Sequence, residues 1–145
     1  MPVIRRAVDT DWIEVAALLQ DCSLPLDGAR EHLRAYFVAV HDAAVVGTAG
    51  LEVCGDSVLL RSVAVAPSFR GRGIGHALID AVRADARKRG VKTLYLLTTT
   101  AAAYFSKRGF SHEAREHAPA ALDASAEFQG ACPSSAAFMS CYVAE

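Results

Sequence analysis

Residues 70–75 read Arg-Gly-Arg-Gly-Ile-Gly and separate an apolar β-type stretch, residues 58–66, from an amphipathic stretch, residues 74–89. Glycines at alternate positions let the chain turn from strand to helix and gather consecutive backbone N–H groups at the positive end of that helix. Without Cβ atoms the turn leaves room for an anion, and Arg70 and Arg72 add positive charge to it. The segment therefore reads as a pyrophosphate cradle. A Walker loop needs Gly-Lys-Ser/Thr, and the dinucleotide fingerprint needs a small residue where Leu78 stands, so both are excluded.

The pattern around this junction implies an α+β (α/β) mixed sheet with helices on both faces. Residues 2–8 read as an edge strand. Asp9 or Thr10 is expected to cap a helix with Trp12, Val15, Ala16 and Leu19 on one face, and Asp27 a second short helix ending at Arg34. Residues 36–40, 45–53 and 58–66 form a β-rich meander with turns at 41–44 and 55–56. Ile74, Ala77, Leu78, Ala81 and Val82 mark the core stripe of the next helix, which ends in Arg87-Lys88-Arg89 and stops at Gly90. Residues 93–97 are nearly all apolar, as a strand covered on both faces would be. Residues 138–143 suggest a last strand, and the Ala/Ser-rich segment before them has no clear period.

The 145 residues suit one domain with a single core, 1–145. A net charge of −1 argues against a nucleic-acid partner, and the basic residues gather at 70–72 and 83–89, as a compact anionic ligand would require. No signal-peptide pattern or membrane-length apolar run is visible, so the expectation is a cytoplasmic enzyme acting on a small molecule. Cys22, Cys54, Cys132 and Cys141 show no metal-ligand spacing, and no metal is expected. Free thiols are one reading; Cys132 lining a substrate pocket is the other.

Arg70-x-x-Gly73-x-Gly75, the lead-in Ser62-Val63-Ala64-Val65-Ala66-Pro67, and residues 101–110 ending in Gly109-Phe110 resemble the GCN5-related N-acetyltransferase (GNAT) superfamily. The resemblance implies that superfamily's fold, a mostly antiparallel sheet splayed where acetyl-CoA binds, and acetyl-CoA as co-substrate. It implies cofactor contacts from Val63, Ala64 and Val65, from Arg70, Gly71, Arg72, Gly73, Ile74 and Gly75, and from Thr98, Thr99 and Phe105. Homodimers are compatible with it. Many members place a tyrosine acid four residues before the Gly of Gly-Phe. That position holds Phe105, with Tyr104 beside it as the candidate acid or, alternatively, a half-buried aromatic. Thr98 stands where the family often has Asn; the hydroxyls of residues 98–100 are offered either to ligand or to a helix N-cap at Thr99 or Thr100.

No carboxylate occupies residues 58–65, where the family often carries a base. Glu52 on the preceding strand is the candidate, against a solvent-facing role. A site without an evident strong base suits an α-amine of pKa about 7.7 to 8 better than a lysine amine at about 10.4. Arg61 interrupts an apolar strand, and alternation puts it on the face of Val63 and Val65. Burying it requires an anion, either a substrate oxyanion or a protein carboxylate such as Glu52 or Asp56. Residues 24–26, 50–53, 59–65 and 94–100, with Glu127-Phe128 and residues 132–136, resemble the arsenic-resistance N-acetyltransferases, a bacterial GNAT subgroup. That likeness implies acetylation of the α-amine of a small anionic amino acid of the arsinothricin or phosphinothricin kind.

Overall fold

The computed structural model describes residues 2–143. One seven-stranded sheet runs through them in the order β1-β2-β3-β4-β5-β7-β6. Its strands are β1 (Val3–Arg6), β2 (Tyr36–His41), β3 (Ala44–Cys54), β4 (Ser57–Val65), β5 (Thr93–Thr98), β6 (Ser111–His112) and β7 (Ala137–Tyr142). Only β4 and β5 pair in parallel. The helices are α1 (Trp12–Asp21), α2 (Ile74–Lys88) and the short α3 (Ala102–Ser106).

The β2–β3 hairpin turns on Asp42 and Ala43, both at positive φ, 49° and 62°. This handedness matches the twist of a two-residue hairpin. Successive residues of β2 point to opposite sides: Val38 packs with Val15, Leu18 and Leu19 of α1, and Ala39 with Ile74 and Leu78 of α2. Alternation thus sends the two helices to opposite faces of the sheet. On β5, Leu94 and Leu96 are buried beneath α2, while Tyr95 and Leu97 pack with Leu122, Phe128 and Phe138. The segment after Phe110 that lacked periodicity forms short turns, Ala120–Ala124 and Glu127–Ala131 among them, and these cover the other face of β3, β4 and β5.

Three local expectations are corrected. Neither Asp9 nor Thr10 caps α1; both lie in a 3-10 turn. Asp11 accepts the Val8 N–H at 2.8 Å and pairs with Arg5 at 2.8 Å, so its carboxylate fixes the helix entry instead. Asp27 caps no helix, because the following segment is a 3-10 helix, Arg30–Ala35, without a side-chain cap.

The third correction concerns β4. Thr48 pairs with Ala64 and Gly50 with Arg61, so Ser62 and Val63 together oppose Ala49. This is a β-bulge, and Ser62 adopts φ 59°. The extra residue reverses the alternation. Arg61 therefore lies on the α1 face with Gly50 and Glu52, and Val63 and Val65 on the α2 face, not together as a regular strand would place them. Tyr36 locks the bulge: its hydroxyl is 2.7 Å from the Ser62 Oγ, and its ring lies over Gly50.

A Cβ on Gly50 would come within 2.1 Å of that ring. Gly50→Ala is expected to cost about 1–3 kcal/mol or more through overpacking, read as a lower urea midpoint with an unchanged slope.

Candidate functional site

Hydrogen-bond pairing of β4 with β5 covers only Val58↔Leu94 and Leu59↔Tyr95. Beyond these pairs the strands diverge around a cavity of about 720 Å³. The cavity runs from the glycine-rich turn, past residues 63–65 and 96–101, to Arg61, Glu127 and Cys132, under a roof formed by residues 22–25.

At the glycine end, Gly71 and Gly73 adopt φ 78° and 82°, and a Cβ added to either would meet nothing within 4 Å. Ala77 N–H bonds the Gly73 carbonyl at 3.0 Å, which starts α2 and leaves the preceding N–H groups directed ahead of it. Arg70 is folded back, its Nε donating to the Val65 carbonyl at 2.9 Å. Gly71, Gly73, Ile74 and Gly75 line the cavity, whereas Arg72 does not; its guanidinium stacks on Phe69 at 5.2 Å.

Tyr104 and Phe105 divide their tasks. Phe105 is core, edge-on to Phe110 at 5.7 Å, and touches the cavity wall. The Tyr104 hydroxyl instead reaches α2 at Gly75, where a Cβ would lie 2.6 Å from it. Neither Thr99 nor Thr100 caps α3, which has no side-chain cap; the Thr98 Oγ instead accepts the Ala101 N–H at 3.0 Å in the turn before it. Thr98 and Thr99 both remain on the wall.

At the far end stands a buried ionic cluster. The Arg61 side chain has no exposed surface; Nη1 donates to Glu52 Oε1 at 2.8 Å and Nε lies 3.5 Å from Glu127 Oε2. Its Nη2 reaches the Pro25 carbonyl at 3.4 Å. Asp56 takes no part. Glu52 is not solvent-facing: Oε1 also accepts from Ser125 at 3.0 Å, and Oε2 lies 3.7 Å from His32 and 3.8 Å from the Cys54 thiol. With both oxygens engaged and no share of the cavity wall, Glu52 supports Arg61.

Glu127 is different. It lines the cavity, is 4% exposed, and its Oε1 has no hydrogen-bond partner among the described residues. Burial pushes its carboxyl up to about 7; the Arg61 charge opposes this and Glu52 adds to it. A half-satisfied carboxyl facing a cavity, with its pKa near neutrality, is equipped to accept a proton. In the sequence Glu127 entered only through a resemblance and not as a base, since it sits in an irregular turn whose apposition to Arg61 is purely tertiary. Cys132 does line the cavity, but burial raises its thiol to about 11, which leaves it un-ionised and weakly nucleophilic. The described residues hold no group of three metal-ligating side chains, and no helix long and apolar enough to cross a membrane.

The Glu127 carboxyl binds its proton more tightly in the folded than in the unfolded chain. Between the unfolded value near 4.5 and the folded value near 7, rising pH therefore removes stability, and above 7 the penalty is constant. Glu127→Gln is expected to unfold at a higher temperature than the parent at pH 8, with the difference closing below about pH 5, as thermal scans across pH would show.

A sequence profile described as "Acetyltransferase (GNAT) domain" matches residues 32–112, more than half of the chain. The amino-acid acetyltransferase of Ectopseudomonas mendocina is 31% identical over 115 residues, covering 75% of this chain and 27% of that protein. That of Pseudomonas putida KT2440 is 30% identical over 128 residues, 82% of this chain and 30% of the relative. The chain thus spans less than a third of the curated relatives it matches. Among solved structures, the N-acetylglutamate synthase of Neisseria gonorrhoeae, complexed with coenzyme A and N-acetyl-glutamate, superposes with a TM-score of 0.84 at 24% identity. The match covers 99% of this chain and 35% of that one. The structural likeness shows the acyl-CoA N-acyltransferase fold; together with the profile match, it establishes that the chain belongs to the GNAT acetyltransferase family.

Proposed function

We propose that this domain transfers the acetyl group of acetyl-CoA to the α-amine of a free amino acid. The observation that carries the reading is Glu127, a buried carboxyl on the wall of the cavity between β4 and β5 with one oxygen unpartnered among the described residues. The names of the amino-acid acetyltransferase relatives support an amino-acid acceptor.

The glycine turn fits the pyrophosphate of the co-substrate, because the space a Cβ would take at Gly71 and Gly73 is open. Val63, Ala64 and Val65 flank the course of the pantetheine arm, with Thr98 and Thr99 opposite. Bound there, acetyl-CoA supplies an activated acetyl thioester. Glu127 takes the proton of the acceptor's ammonium group, which exposes the nitrogen lone pair. Each unit by which burial raises the Glu127 carboxyl, to about 7, lowers the cost of taking that proton by about 1.4 kcal/mol. The departing thiol has a pKa of about 8.5 and leaves as thiolate with little help, so Tyr104 contributes packing and position more than a proton.

Arg61 supports an anionic acceptor. Its guanidinium is fully buried behind the acceptor end of the cavity, 3.5 Å from Glu127, and sets a positive charge there without offering a free N–H group. An acceptor with its α-amine at Glu127 and its α-carboxylate drawn by the charge of Arg61 is a free amino acid. The finer reading is a small anionic one, glutamate-like, in the class of phosphinothricin and arsinothricin. Thiol release from acetyl-CoA with L-amino acids, their amides, phosphinothricin and spermidine tests this. Free amino acids, the acidic ones foremost, are expected to react and amides and spermidine to fail. CoA binding with no thiol release from any amine would instead mark a catalytically silent acetyl-CoA sensor.

The parent's rate is expected to fall below pH about 7 as the carboxyl protonates, and Glu127→Gln to lower kcat about 10²- to 10⁴-fold and to abolish that fall. Tyr104→Phe is expected to keep most of the activity in the same assay. Gly73→Val is expected to weaken CoA binding at least tenfold by calorimetry. The cause is strain at φ 82° and a side chain in the open phosphate space, since no protein atom lies within 4 Å to clash.

A further inference from the structure

Charge is unevenly distributed around the cavity. Among the described residues Glu127 is the one acid on its wall, at the acceptor end, while Arg70, His76 and Arg108 gather at the glycine end. Two of these three are already engaged: Arg70 donates to the Val65 carbonyl, and His76 lies 3.3 Å from Asp80. Arg108 is not. Its side chain makes no hydrogen bond or ion pair among the described residues, and its buried Nε has no partner.

Arg108 is nevertheless held in place. Its guanidinium lies over the Tyr104 ring, 4.7 Å from the centroid. The hydroxyl of that ring lies close against Gly75, and the Arg108 carbonyl accepts from Arg83. Stacking on a ring face occupies neither edge of a guanidinium, so the in-plane N–H groups stay available for an anion. A desolvated Nε without a partner costs free energy until one arrives. Arg108 shares the cavity wall with Gly71 and Gly73, and no atom of it comes within 4 Å of the Cβ space at either, so it stands apart from the glycine turn.

We infer that Arg108 binds a second phosphate of the co-substrate, the 3′-phosphate of CoA, beyond the pyrophosphate held by the glycine turn. Tyr104 then acts as its support, which gives this tyrosine a task that needs no proton transfer. The inference rests on the acetyl-CoA reading, and it makes the domain selective for CoA over 3′-dephospho-CoA.

Calorimetry with CoA, 3′-dephospho-CoA and 4′-phosphopantetheine on the parent, Arg108→Gln and Arg108→Lys tests it. Arg108→Gln is expected to weaken CoA binding about tenfold to a hundredfold, the range of a charge-assisted pair, and to leave 3′-dephospho-CoA unchanged. Arg108→Lys is expected to restore part of the loss, which also shows that the fold is intact. Equal weakening of CoA and 3′-dephospho-CoA would move Arg108 off the 3′-phosphate and overturn the assignment, and 4′-phosphopantetheine, which keeps only the pantetheine-side phosphate, would be weakened too if Arg108 meets that phosphate instead. An unchanged preference for CoA in Arg108→Gln would overturn it as well, while leaving the acetyl-CoA reading standing. Failure of the parent to bind CoA would overturn both.

Discussion

One additional residue in β4 governs the site. The bulge at Ser62 and Val63 turns Arg61 toward the α1 face and keeps Val63 and Val65 on the α2 face, so one strand serves two ends of the cavity. Ser62 holds a positive φ that costs a non-glycine residue on the order of 1–3 kcal/mol. The Tyr36 hydroxyl and the close approach of its ring to Gly50 offset that strain and leave the bulge no freedom to slide. Divergence of β4 from β5 begins after Leu59, just before the bulge, so cavity and bulge are parts of one deformation.

Arg61 follows from the same geometry. A guanidinium with no exposed surface is expensive unless its charge and donors are met, and Glu52 meets them from β3 while Ser125 and His32 hold Glu52. This pairing consumes Glu52. It leaves Glu127, the second carboxylate, with a longer contact to Arg61 and one oxygen unmatched. Two acids beside one base cannot both be fully satisfied in a dry interior, and the one facing the cavity is the one whose affinity for a proton rises. The polar imbalance that folding leaves behind is what the chemistry can use.

Much of this was legible in the sequence because it is encoded locally. The glycine turn, the α2 stripe, the meander and β7 depend on residues near one another in the chain, and these appeared at or close to their expected positions. The ion pair of Arg61 with Glu52 was one of the two readings the sequence allowed. What alternation could not reveal was the bulge, since Ser62 reads as an ordinary strand residue until Tyr36, from β2, is brought against it. The expected face of Arg61 therefore came out reversed. Glu127 was invisible as a base for a related reason: its turn has no periodicity, and its pKa depends on Arg61 and Glu52 from distant strands. Likewise residues 98–100 offered a helix cap at Thr99 or Thr100, and neither forms, because the folded turn gives α3 no side-chain cap and directs the Ala101 N–H to Thr98.

The account depends most on the protonation behaviour of one carboxyl, which carbon-13 NMR of protein labelled at glutamate side-chain carboxyls reports directly. In the CoA-bound protein one resonance, missing from Glu127→Gln, is expected to titrate with a midpoint near 7. Titration of every glutamate carboxyl below about 5 would contradict the account, because the cavity would then hold no group suited to relieve an α-ammonium of its proton.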